Sequence, residues 1–267
     1  MKKSVIKTVG SAAVFLLGSG IGANVLASTW TFNGSASNTQ SGVTSNASAW
    51  ANTVGSANTQ LEGATLKFYG SSGMGVTNRD APSPYGTGSG ADLDAGEGTT
   101  PEHAIDNNGR VDSVLFSFGN ANKVNLTSTS FGWVQGDSDF AVWAYTGLSA
   151  TAPLANLTYS NLTSNGWTLV GNYNGGSSTG TKTFANSIYS SYWLVGAYNG
   201  TGSGAIDGGN DYFKLYSVSG SSCVSGQAGC GGGSGHVPEP GTLLLLGVGL
   251  LGLMRMSRKP AMNRMAI

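Results

Sequence analysis

Two stretches decide how this chain is read: Phe140-Ala141-Val142-Trp143-Ala144-Tyr145 and Tyr192-Trp193-Leu194-Val195-Gly196-Ala197-Tyr198. Each is a short apolar run, rich in aromatic and β-branched residues, set among Asp, Ser, Gly and Asn. Runs of this length and composition read as buried strands. Working outward, apolar and polar residues alternate with period two at Thr29-Trp30-Thr31-Phe32, at Thr65-Leu66-Lys67-Phe68-Tyr69 and at Val124-Asn125-Leu126-Thr127. Residues 111–118, 167–173 and 212–218 are further strand candidates, and Gly, Asn, Asp and Ser clusters separate them all. One weak helical candidate remains at residues 45–52, where alanines and Trp50 could form a turn or two. Residues 70–100 read as a long loop, interrupted at Gly75-Val76-Thr77-Asn78; loops this long are usually functional or mobile. Many short strands between turn signals predict an all-β fold, a single β-sandwich or jelly-roll domain.

Composition agrees. Charged residues are only 10% of the 267, and Gly numbers 43, so helix-building Glu, Lys and Arg are sparse. A formal net charge of zero conceals an asymmetry. Lys2, Lys3 and Lys7 sit at the front, and Arg255, Arg258, Lys259 and Arg264 at the back. Residues 28–237 hold six basic and twelve acidic residues, a net of about −6. That balance excludes a nucleic-acid partner, which needs a basic face. It suits a solvated outer surface or a cation ligand.

The two ends read as addresses. Residues 1–27 have a positive start, a short apolar centre around Ala13-Val14-Phe15-Leu16-Leu17, and small or branched residues at Val25-Leu26-Ala27. That order is a secretory signal peptide, cleaved by signal peptidase between Ala27 and Ser28; the other reading is a membrane helix that stays. At the far end Val237-Pro238-Glu239-Pro240 precedes an apolar run containing Leu243-Leu244-Leu245-Leu246 and Leu250-Leu251, followed by Arg255, Arg258 and Lys259. The run is shorter than the roughly 20 residues of an ordinary spanning helix. Its basic flank can snorkel and favours a cytoplasmic tail. This order of Pro238-Glu239-Pro240, apolar segment and Arg/Lys cluster resembles the PEP-CTERM sorting signal. The resemblance implies transient anchoring in the inner membrane by a C-terminal transmembrane helix, recognition by an exosortase, and display at the cell surface or in extracellular matrix.

The expected organisation is therefore a signal peptide at 1–27, a β body at 28–219, a Gly/Ser-rich linker at 220–236, the sorting signal at 237–259 and a tail at 260–267. Cys223 and Cys230, both placed in the linker, are the only cysteines, and in an exported chain they are expected to form a disulfide.

Acidic residues crowd the middle: Asp80, Asp92, Asp94, Glu97, Glu102, Asp106 and Asp112. Asp106, Asn108 and Asp112 around Gly109 offer the hard oxygens that calcium takes; an Asx turn leading into a strand explains the same residues. Asp137-Ser138-Asp139 and residues 207–211 read likewise as hairpin turns or cation sites. No other cofactor is expected. His103 is the one histidine of the body, and with Asp106 and a serine it could form a hydrolase triad. Gly176-Ser177-Ser178-Thr179-Gly180 matches the nucleophile-elbow string but lacks a following helix. Trp133, Trp143, Tyr145, Trp167 and Trp193 could stack on sugars or could be core.

Gly75-Val76-Thr77-Asn78, Glu102-His103-Ala104-Ile105-Asp106-Asn107, residues 112–118, Phe131-Gly132-Trp133 and Asp137-Ser138-Asp139 together resemble one group of exosortase-dependent surface proteins. That group is defined by sorting, so the resemblance implies location and no catalytic residue. The expectation is a non-enzymatic surface or matrix protein associated with exopolysaccharide, biofilm or floc. A carbohydrate-binding module is the alternative, and a secreted hydrolase comes third.

Overall fold

Residues 140–145 form a strand buried along its whole length, and the reason lies on its two sides. In the computed structural model, which describes residues 26–90, 93–94, 103–198, 200 and 206–224, it is one of fourteen strands. In chain order these are β1 (Leu26–Thr31), β2 (Ser37–Gln40), β3 (Val43–Ala51), β4 (Glu62–Gly63), β5 (Thr65–Phe68), β6 (Met74–Thr77), β7 (Ile105–Asp106), β8 (Asp112–Ser117), β9 (Asn122–Val134), β10 (Phe140–Tyr145), β11 (Trp167–Tyr173), β12 (Gly180–Thr183), β13 (Tyr192–Ala197) and β14 (Tyr212–Val224).

The strands form two antiparallel sheets. One runs β12-β9-β14-β6-β5, with β1 and β7 also paired to β14. The other runs β11-β10-β13-β8-β3-β2, with β4 on β3. Both contribute to one apolar core: Trp30, Met74, Val124, Phe131 and Phe213 from the first meet Ala49, Phe116, Val142, Trp193 and Val195 from the second. The indole N–H of Trp193 donates to the carbonyl of Val124, 2.9 Å away in the opposite sheet. A large side chain thus fills the interior while its polar end is satisfied.

Alternation explains β10. Phe140, Val142 and Ala144 face the shared core. Ala141, Trp143 and Tyr145 face a second cluster with Leu61, Leu154, Leu162 and Trp167, on the outer side of the sheet. The connection at residues 146–166 supplies part of that cover. It is tied down by the Leu61 N–H donating to the Leu157 carbonyl at 2.7 Å. Within it a 3-10 turn at Tyr159–Asn161 is capped reciprocally by Thr158 and Asn161, which satisfies end groups that burial would otherwise strand.

Two expectations are corrected. Residues 45–52 are not helical: β3 runs through them with alternate residues buried. Ala47 and Ala49 point into the core, and pairing with β2 and β8 overrides the helical preference of alanine. The linker does not begin at Gly220, because β14 continues to Val224 opposite Asn122 of β9. Cys223 is accordingly a buried strand residue opposite Lys123, while Cys230 lies outside the described residues. β1 begins at Leu26, with Ala27 opposite Ser221 and Ser28 opposite Gly220, so the bond expected to be cleaved lies within the first three residues of that strand. The rest of the expected signal peptide and the Leu-rich segment lie outside the described residues. Among those described, no helix is long and apolar enough to cross a membrane.

Candidate functional site

Three carboxylates meet where the connection from β9 to β10 touches the start of β14. Asp137 and Asp139 belong to that connection, and Asp211 immediately precedes β14. Gly136 makes the turn possible with φ of 73°, a conformation that side chains resist. Backbone pairing then sets Asp137 beside Asp211, and the Tyr212 N–H donates to the Asp137 carbonyl at 2.9 Å. One carboxylate oxygen from each of Asp137, Asp139 and Asp211 lies within 4.8 Å of the others.

Hydrogen bonds fix these groups in place. The Asp139 N–H donates to Asp211 Oδ1 at 2.7 Å. Asn107 donates from Nδ2 to Asp211 Oδ2 at 2.7 Å and accepts from the Asp211 N–H at 2.7 Å. The Gly175 N–H donates to Asp139 Oδ1 at 3.1 Å. Gly175 has to be glycine: a Cβ there would sit 2.0 Å from the Ser138 carbonyl oxygen. The Ser138 N–H donates to Asp137 Oδ1 at 2.8 Å. The Lys182 ammonium donates to the Gly175 and Ser178 carbonyls behind this loop.

Asp139 is wholly buried, and its Oδ2 has no hydrogen-bond partner. Burial pushes the Asp139 carboxyl up to about 6; the Gly175 and Asp207 N–H groups oppose this, and the Asp137 and Asp207 carboxylates add to it. Burial also raises the Asp211 carboxyl to about 7; the Asp139 N–H opposes this, and the Asp139 and Asp137 carboxylates add to it. Crowded, desolvated carboxylates favour their neutral forms.

The calcium candidates Asp106, Asn108 and Asp112 are not among these three carboxylates. Asp106 and Asn108 form an Asx turn, with the Asn108 N–H donating to Asp106 Oδ1 at 3.0 Å. Burial raises the Asp106 carboxyl well above the usual range, the Asn108 N–H opposing and Asp94 adding to the rise. Asp112 is buried at the head of β8, opposite Ala51. Asp80 is held by Arg110 at 2.7 Å. Asn107, between two of the candidate calcium ligands, is the residue that grips Asp211. The sequence marked Asp137-Ser138-Asp139 and residues 207–211 as separate turns; what it lacked was any sign that they meet.

His103 has φ of 51° and shares a 2.8 Å hydrogen bond between Nδ1 and Thr77 Oγ1. Its ring lies 4.9 Å from that of Tyr85. Ser178 lies between β11 and β12, so the elbow string leads into a strand. Trp143, Trp167 and Trp193 are buried in the two clusters and serve as core rather than as sugar platforms; Tyr145 is buried too, in the second cluster. The half-buried Trp133 is occupied too: Lys214 Nζ sits 4.1 Å from its ring centroid and 4.4 Å from that of Tyr69.

A separate cleft of about 570 Å³ is lined by Tyr145, Tyr189, Tyr192, Asn120, Lys123 and Leu148. Tyr192 Oη donates to Asn120 Oδ1 at 2.9 Å, and Leu148 is fully exposed at its rim.

Residues 236–259 match the PEP-CTERM protein-sorting motif. The match covers the Pro238-Glu239-Pro240 motif, the Leu-rich run and the basic residues Arg255, Arg258 and Lys259. It identifies an exosortase-sorted protein, exported and transiently anchored in the membrane before processing. No curated protein and no solved structure matches the chain.

Proposed function

We propose that the chain is a non-enzymatic surface or extracellular-matrix protein, released from its membrane anchor by an exosortase and associated with exopolysaccharide, biofilm or floc. The observation that carries this reading is the sorting motif at residues 236–259. The β body fits it: its buried tryptophans and long paired strands suit a rigid displayed domain, and its net negative charge keeps it solvated. The Cys223–Cys230 disulfide belongs to the same reading, because an oxidising compartment is where such a pair persists.

The test is fractionation of cells with and without the exosortase. Full-length protein held in the inner membrane only when the exosortase is missing is the expected result. The same distribution in both strains would reduce the tail to an ordinary anchor.

The tyrosine-lined cleft favours carbohydrate binding as a second reading. Aromatic walls beside a few polar groups are typical of small-ligand sites. Glycan-array binding that Tyr189→Ala lowers at least about tenfold, a loss of ~1.4 kcal/mol, would establish it; a uniformly negative array would remove it.

A further inference from the structure

We propose that Asp137, Asp139 and Asp211 bind a divalent cation of the hard, oxygen-seeking class, calcium, and that this ion pins the β9–β10 connection to the start of β14.

The three carboxylates converge within 4.8 Å, but convergence alone would describe many acidic turns. The decisive feature is Asp139. Its side chain is fully buried, one oxygen accepts from Gly175, and the other makes no hydrogen bond of normal geometry, with only the Asp207 N–H near enough to act on the carboxylate. A buried, unmatched carboxylate oxygen is costly. Among the described residues no lysine, arginine or histidine forms an ion pair with any of the three. Lys182, the nearby cation, is turned onto the Gly175 and Ser178 carbonyls. A bound cation supplies the missing opposite charge.

The donor set selects the ion. All three residues offer carboxylate oxygen, and none is His or Cys, so zinc and copper are poorly served. Magnesium demands a near-ideal octahedron, whereas calcium accepts six to eight oxygens in irregular array. Asp207, close enough to raise the Asp139 carboxyl, brings a further acidic group to the rim. The segments involved are distant in sequence, so the ion acts as a cross-brace. That it is met outside the cell rests on the export proposed above; its binding does not.

The test uses the full-length chain, purified in detergent, stripped with chelator and titrated with calcium chloride or magnesium chloride. One calcium per chain is expected, with a dissociation constant on the order of 0.1–1 mM, as in extracellular modules. At about ten times that concentration the melting midpoint rises by roughly 3–6 °C. Asp139→Asn is expected to raise the midpoint of the metal-free chain, because it removes the buried charge, and to abolish the calcium response. Asp137→Asn, at a half-buried position, keeps the fold and weakens calcium about tenfold. No calcium shift in the unaltered chain would overturn the proposal. So would a shift that survives both substitutions, which would move the ion to another acidic turn. An equal response to magnesium would overturn the assignment to calcium. If Asp139→Asn does not fold, Asp137→Asn decides. Binding is read on purified protein, so a chain that stays in the membrane yet binds calcium leaves this inference standing.

Discussion

At Asp139 the Gly175 N–H donates to one carboxylate oxygen, and the second is left without a hydrogen bond of normal geometry, the Asp207 N–H acting on the group only weakly. The consequence without metal is a pH dependence of known sign. Carboxyls of Asp titrate near 3.9 in an unfolded chain, but at about 6 for Asp139 and about 7 for Asp211 in the folded one. Folding therefore takes up protons at these groups. Their stabilising contribution is complete below about pH 4 and is lost as the pH climbs through 6 and 7. The groups facing them are the Asp137 and Asp207 carboxylates, the Gly175, Asp207 and Asp139 N–H groups and the Asn107 amide. Chemical denaturation in chelator should show a midpoint falling across this window, and saturating calcium should flatten the fall. Gly175→Ala is a second residue-scale prediction. The new Cβ meets the Ser138 carbonyl oxygen at 2.0 Å, so the loop must move, at a cost of about 1–3 kcal/mol. Urea titration would read this as a lower midpoint; an unchanged midpoint would show that the loop gives way freely.

The element that organises the body is β10, paired on both edges with β11 and β13 and covered on both faces. Its outer cover is a connection rather than another sheet, so that face depends on a few large side chains. Trp167 is one: fully buried, with its indole N–H donating to the Pro153 carbonyl at 2.7 Å. Trp167→Ala should cost about 3–5 kcal/mol by opening a cavity, measured by thermal or chemical unfolding. A glycan-binding tryptophan would behave oppositely, losing binding with little loss of stability. β3 shows how an element forms against its local preference. Residues Val43, Ser45, Ala47, Ala49 and Ala51 are buried at period two, yet small alanines signal alternation weakly. Partners on both sides supply the pairing that the segment alone does not specify.

Across the whole molecule, address and body are separable. The sorting motif occupies residues 236–259, while the two sheets close at Val224. Removing the tail should therefore change where the protein goes and leave its unfolding midpoint within about 0.5 kcal/mol of the full chain, as for changes away from packed features. A large loss of stability would show that the tail packs on the body. β14 joins much of the molecule: it pairs with β1, β6, β7 and β9. Asp211 at its start places the proposed ion at a junction where one brace restrains several segments.

The local apolar runs were enough to locate β8, β10, β11 and β13, because each carries its burial pattern in consecutive residues. The sorting tail was equally legible, since a linear signal needs no fold to be read. Hidden from the sequence were β3 as a strand, the extension of β14 to Val224, and the burial of Trp143, Trp167 and Trp193 as packing. The carboxylate site was half visible: its two acidic turns stand out, but 72 positions separate Asp139 from Asp211. Only the pairing of β9 with β14, closed by a parallel bridge between Asp137 and Asp211, sets them together, and only the resulting exclusion of water turns ordinary turn aspartates into groups that call for a cation.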